Sequence, residues 1–140
     1  MGVTLTKIVE KMELRNLTPD VDMTQREVKI PDINRPALQL AGFFDHFDKD
    51  RVQIIGYVEQ EYIRQMAPER RREMYDKLLA EKIPCLVYSR GQMPDEDMLE
   101  LCNHYDVPCM VSDMSTSDLM AEVIRWLKVK LAPCITIHGV

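Results

Sequence analysis

The sequence predicts an α/β domain in which a mostly parallel central sheet carries helices on both faces, a Rossmann-like layering. Three observations carry that prediction. First, three Pro-Cys pairs each open a short apolar run: "IPCLVYS" from Ile83, "VPCMVS" from Val107 and "APCITIHG" from Ala132. Second, Cys85 and Cys109 are 24 residues apart and Cys109 and Cys134 are 25 apart, a period that suits one strand plus one crossover helix. Third, the runs are continuously apolar rather than alternating, as strands covered on both faces are.

The first half is less regular. A helix is expected at about Leu5–Met12, a short strand at Arg15–Leu17 and another at Glu27–Ile30. "IPDINRPALQLAGFFDHF" (Ile30–Phe47) follows. Pro31 and Pro36 impose extended or turn backbone, and Pro36 restricts Arg35. The segment reads as a rigid connection presenting Asp32, Asn34 and Arg35, then an apolar turn from Leu38 to Phe44. "RVQIIG" (Arg51–Gly56) reads as a buried strand. "EQEYIRQM" and "PERRREMYDKLLAEK" read as helices, the second with Pro68 at its first position, where the missing N–H is harmless.

Beyond the strand at Ile83, Asp95, Glu96 and Asp97 open a helix whose positive end favours acids, and Met98, Leu99, Leu101 and Cys102 share one face. After the strand at Val107, Ser115, Thr116 and Ser117 offer N-caps, and Ser115 with Asp118 resembles a capping box. Leu119, Val123, Ile124, Leu127 and Leu131 recur at helical spacing, Lys128 and Lys130 suit the last turn, and Pro133 stops the helix. A last strand is expected at Ile135–Ile137, which completes β-α-β-α-β-α-β and a single α/β domain over 1–140.

Composition narrows the function. The 140 residues carry a net charge of −5, and the only basic cluster, Arg70-Arg71-Arg72, is flanked by Glu69 and Glu73 and reads as a solvated helix face. No nucleic-acid partner is expected. No apolar run approaches the ~18 residues of a membrane span, and the charged start is no secretory signal, so no membrane partner is expected. The four cysteines lack C-x-x-C spacing and read as buried structural thiols, which points to a reducing cytoplasm. Asn16-Leu17-Thr18 fits a glycosylation sequon that has no meaning without secretion.

In open parallel sheets, ligands bind beyond the carboxyl ends of the strands. The candidate ligand-binding residues there are Asn34, Arg35, Ser89, Arg90, Ser115, Thr116 and Ser117. Two guanidinium groups, several hydroxyls and a helix N-terminus favour a phosphorylated metabolite or a carboxylate. Simple capping explains the hydroxyls equally well, and Arg35 has a competing role as partner to a buried or interfacial carboxylate that holds the crossover in place. The five glycines form neither G-x-x-x-x-G-K-[ST] nor G-x-G-x-x-G, and His46, His104 and His138 lack metal-ligand spacing. No catalytic or metal residue is assigned, and the chain by itself reads as inactive.

"IPDINRPALQLAGFFDHF", "DRVQIIG" with Glu59, "EKIPCLVYSRG", "STS" and "LAPCITIHGV" occur in this order. Together they resemble the N-terminal domain of the bacterial HPr kinase/phosphorylase family, over essentially the whole chain. The sequence departs from the family at Tyr57-Val58, where a Lys-Thr pair is common, and at Cys134. The resemblance implies a layered fold similar to the N-terminal domain of the Mur ligases. It implies a parent enzyme with a C-terminal P-loop kinase domain that phosphorylates and dephosphorylates a regulatory serine of the phosphocarrier HPr in carbon catabolite control. It further implies ATP and Mg²⁺ for that parent, with no cofactor in this chain, and a hexameric assembly. On this resemblance the chain stops where the kinase domain would begin, at a cut end or a natural truncation, and its own role is regulatory or organisational. The residues leave two other readings open: a free-standing small-anion or nucleotide-binding domain, and a pure assembly module.

Overall fold

A computed structural model describes residues 2–133. Cys134 and the strand expected at Ile135–Ile137 lie outside the described residues. The elements are β1 (Val3–Thr4), α1 (Leu5–Met12), β2 (Arg15–Asn16), β3 (Glu27–Val28), β4 (Ile33–Asn34), α2 (Ala37–Leu40), β5 (Val52–Ile55), α3 (Tyr57–Gln65), α4 (Pro68–Ala80), β6 (Leu86–Tyr88), α5 (Glu96–His104), β7 (Cys109–Val111) and α6 (Thr116–Leu131). Five strands form the central sheet in the order β2-β7-β6-β5-β4. β4, β5, β6 and β7 are parallel, with Ile54 opposite Val87 and Val87 opposite Met110. β2 is antiparallel to β7, with Arg15 opposite Val111. The chain therefore steps from β4 to β7 in one direction across the sheet, as consecutive crossover units do.

Alternate residues of each strand feed the two faces of the sheet. Val52, Ile54, Cys85, Val87 and Met110 pack with Leu5, Ile8 and Met12 of α1 and with Leu119, Val123 and Leu127 of α6. Ile55, Leu86, Tyr88, Cys109 and Val111 pack with Ile63 of α3, Tyr75, Leu78 and Leu79 of α4, and Met98, Leu101 and Cys102 of α5. Three layers result, as the apolar runs implied. Cys85, Cys102 and Cys109 are buried free thiols, and burial pushes the Cys85 thiol up to about 12.

The first half differs from the expected pattern in two ways. The strand expected at Glu27–Ile30 is only Glu27–Val28, and it pairs with β1, which the sequence does not suggest, in a separate antiparallel ribbon. The expected rigid connection is a strand, β4, followed by a helical turn, α2. The prolines flank both pieces: Pro31 lies at a bend two residues before β4, and Pro36, with its restricted φ, opens α2. The arginine run on α4 is more than a solvated face. Arg70 pairs with Glu73, but Arg71 reaches Asp95, and Arg72 reaches Asp97 at 2.9 Å and Glu100 at 2.7 Å, tying α4 to α5.

Thr18, the third residue of the sequon, is fully buried, and its hydroxyl accepts from the Cys109 N–H at 3.0 Å. It anchors the β2 edge of the sheet. Asp95 is the N-cap of α5 and accepts from the Met98 N–H at 2.8 Å and from the Tyr75 hydroxyl at 2.7 Å.

Candidate functional site at the carboxyl end of the sheet

The parallel strands deliver Asn34-Arg35, Gly56, Ser89 and Ser112 to one pole of the sheet. Gly56 is the residue before α3, and Glu59, on the first turn of that helix, turns back so that its Oε1 accepts from the Gly56 N–H at 2.6 Å. A carboxylate in that place satisfies a free N–H and meets the positive end of the helix. The same Oε1 accepts from Arg35 Nη2 at 2.6 Å. The Glu59 side chain is only 4% exposed and Arg35 34%. The pair bridges the end of β4 and the start of α3, and the third strand-end joins them through α6. Ser89 Oγ and Thr116 Oγ1 share a hydrogen bond of 2.6 Å, both buried.

Gly56 is what lets these groups meet. A Cβ there would lie 2.6 Å from Arg35 Nη2 and 2.8 Å from Thr116 Oγ1, closer than atoms tolerate. Arg35, Gly56, Glu59, Ser89 and Thr116 thus form one contiguous corner. Arg35 Nε, buried there, has no hydrogen-bond partner among the described residues.

The remaining candidate residues lie elsewhere. Asn34 turns away into a polar knot, donating from Nδ2 to Gln53 Oε1 at 2.7 Å and to Gln39 Oε1 at 3.3 Å. Gln53, buried in the middle of β5, donates in turn to the carbonyls of Asp48 and Arg51. Arg90 is exposed, with a left-handed backbone (φ 60) fixed by its N–H donating to the Met114 carbonyl at 2.8 Å. Ser115 is the N-cap of α6, its Oγ accepting from the Asp118 N–H at 3.2 Å, and Ser117 is exposed on the first turn.

Sequence reasoning named Glu59 only through resemblance and missed its pairing. The available signal was local: a glycine followed three residues later by a glutamate, just ahead of an amphipathic helix. Chemically, the corner holds one cation and one anion that neutralise each other. The positive end of α3 is filled by the chain's own carboxylate. Among the described residues no cluster of three or more His, Cys, Asp or Glu side chains is arranged for a metal ion.

The comparisons with known proteins agree with this architecture. The CBS and DRTGG domains of the regulatory region of Clostridium perfringens pyrophosphatase, crystallised with diadenosine tetraphosphate, superpose with a TM-score of 0.60 at 13% identity, over 98% of this chain and 52% of that one. At that identity the likeness speaks for the fold alone. HPr kinase/phosphorylase of Lachnoclostridium phytofermentans is 51% identical over 138 residues, 99% of this chain and 45% of that protein. The proteins of the same name from Caldicellulosiruptor bescii and Alkaliphilus metalliredigens are 40% and 38% identical, over 97% and 99% of this chain and 44% and 45% of theirs. The chain spans less than half the length of these curated relatives. The family described as "HPr Serine kinase N terminus" matches residues 3–127. The match over residues 3–127, with relatives up to 51% identical along nearly the whole chain, makes the chain a member of the HPr serine kinase N-terminus family.

Proposed function

We propose that this chain serves as the N-terminal, non-catalytic domain of an HPr kinase/phosphorylase, with a regulatory or organisational role. The observation that carries the reading is the family match over residues 3–127, together with relatives of that name aligned along nearly the whole chain. The parent enzyme would use ATP and Mg²⁺ on a C-terminal kinase domain, act on a serine of HPr and assemble as a homo-oligomer, hexameric by the family resemblance, in the cytoplasm. Neither nucleic acid nor membrane enters this role. The internally neutralised corner supports a domain that organises rather than reacts: Glu59 occupies the place an incoming anion would take.

Two measurements test the reading. The gene beyond Val140 should encode a G-x-x-x-x-G-K-[ST] phosphate loop, and a stop codon there would sink the proposal. Purified 140-residue chain, incubated with labelled ATP, Mg²⁺ and HPr, should transfer no label above background. Transfer that survives repurification would place an active site within these residues.

A second reading, an anion or nucleotide site at the sheet's carboxyl end, is favoured by the convergence of Arg35, Ser89 and Thr116 on one corner. It requires a ligand that competes with Glu59 for Arg35. Millimolar phosphosugars or nucleotides would then raise the melting temperature of the wild type, and Arg35→Ala would abolish the rise.

A further inference from the structure

The opposite pole of the sheet carries a cleft of about 330 Å³ between β3 and the turns that lead into β5 and β6. Such a volume is at the small end of ligand pockets, roughly 300–1,000 Å³. Three cations line it, Arg26, Lys29 and Lys82, against two carboxylates, Glu27 and Asp50; the rest of the lining is apolar. The excess is positive in a chain whose net charge is −5.

None of the three cations forms an ion pair among the described residues. Arg26 is held by carbonyls: Nε donates to the Asp22 carbonyl at 3.0 Å and Nη2 donates to the Asp106 carbonyl. Carbonyl partners orient a guanidinium without cancelling its charge, and Nη1 has no partner among the described residues. The Glu27 carboxylate is partly committed, since Oε2 accepts from the Gly2 N–H at 2.9 Å. Lys82 follows the C-terminus of α4, and its ammonium makes no hydrogen bond or ion pair among the described residues.

We propose that this cleft is a binding site for a small anion bearing a phosphate or carboxylate group, received by Lys29, Lys82 and Arg26 Nη1. The site is distinct from the carboxyl-end corner and does not depend on the role assigned to the chain above.

The test is a ¹⁵N–¹H NMR titration of the 140-residue chain at constant ionic strength, with inorganic phosphate in one arm and citrate in the other. Saturable shifts confined to Arg26–Ile30, Asp50 and Lys82–Cys85 are expected in at least one arm, and the arm that saturates more tightly identifies phosphate or carboxylate as the group bound. Lys29→Ala/Lys82→Ala should weaken that binding roughly tenfold or more, as losing charged hydrogen bonds does. Both side chains are exposed and form no ion pair among the described residues, so the double variant should keep the wild-type spectrum elsewhere. Arg90→Ala, at the other pole, should change nothing. Shifts that stay linear in both arms, that spread over lysines across the surface, or that persist in the double variant would overturn the proposal.

Discussion

Removing Arg35 should destabilise the domain more than its partial exposure suggests. In wild type, the buried Glu59 carboxylate has two donors, the Gly56 N–H and Arg35 Nη2, each at 2.6 Å. Arg35→Ala removes the only counter-charge among the described residues and leaves the carboxylate with one neutral donor. Breaking a fully buried pair costs about 3–5 kcal/mol. The 34% exposure of Arg35 lets water screen the lost charge, which lowers the expected cost to about 2–4 kcal/mol. For a domain of this size that corresponds to a fall in melting temperature of roughly 6–12 °C. Glu59→Gln keeps an oxygen acceptor for Gly56 and leaves the orphaned charge on Arg35, which reaches water, so it should cost less, about 1–2 kcal/mol. The decisive variant is the double one. If the loss in Arg35→Ala comes from an uncompensated buried charge, adding Glu59→Gln should restore part of it. Urea unfolding followed by circular dichroism measures all three. An Arg35→Ala cost below about 1 kcal/mol, or a double variant no more stable than Arg35→Ala, would refute the buried-pair argument.

Three further outcomes follow from the packing. Gly56→Ala should cost about 1–3 kcal/mol, because the added methyl meets Arg35 and the α6 residue Thr116 at once; a neutral result in the same urea assay would mean that the corner yields freely. Asp95→Ala should cost about 2–4 kcal/mol, since it removes the α5 cap and strands the Tyr75 hydroxyl together; Asp95→Asn, which keeps the cap acceptor, should recover about 1 kcal/mol of that. Tyr75 and Tyr88 have phenols pushed upward, Tyr75 by burial and then by Asp95, and Tyr88 by burial. The unfolded chain therefore releases these protons near pH 10 while the fold keeps them, so their contribution is complete below pH ~10 and is lost as pH rises above it. Of the five tyrosines, these two should show phenolate absorbance only as the circular dichroism signal collapses. Titration of all five ahead of unfolding would contradict their burial.

Up to Pro133, the second half of the molecule was legible from local pattern. The apolar runs at Val52–Ile55, Leu86–Tyr88 and Cys109–Val111 are strands buried on both faces, and α4, α5 and α6 lie within a few residues of their caps and prolines. Those signals are local: helical periodicity, a proline before a strand, an acidic first turn. The first half carried little of this kind. β1 to β4 are two residues each, too short for any period, and they exist because a partner strand supplies their hydrogen bonds from 25 residues away for β1 with β3, and from nearly a hundred for β2 with β7. The site divided in the same way. Position at the carboxyl ends of the expected strands singled out Arg35, Ser89 and the Ser115–Ser117 helix start, yet the pairings came from tertiary contacts: Arg35 faces Glu59, Asn34 faces Gln53, and Thr116 rather than Ser115 meets Ser89. A buried charge must find its opposite wherever the fold brings one. For Arg35 that partner is 24 residues along the chain, beyond α2 and β5, where no local pattern points to it.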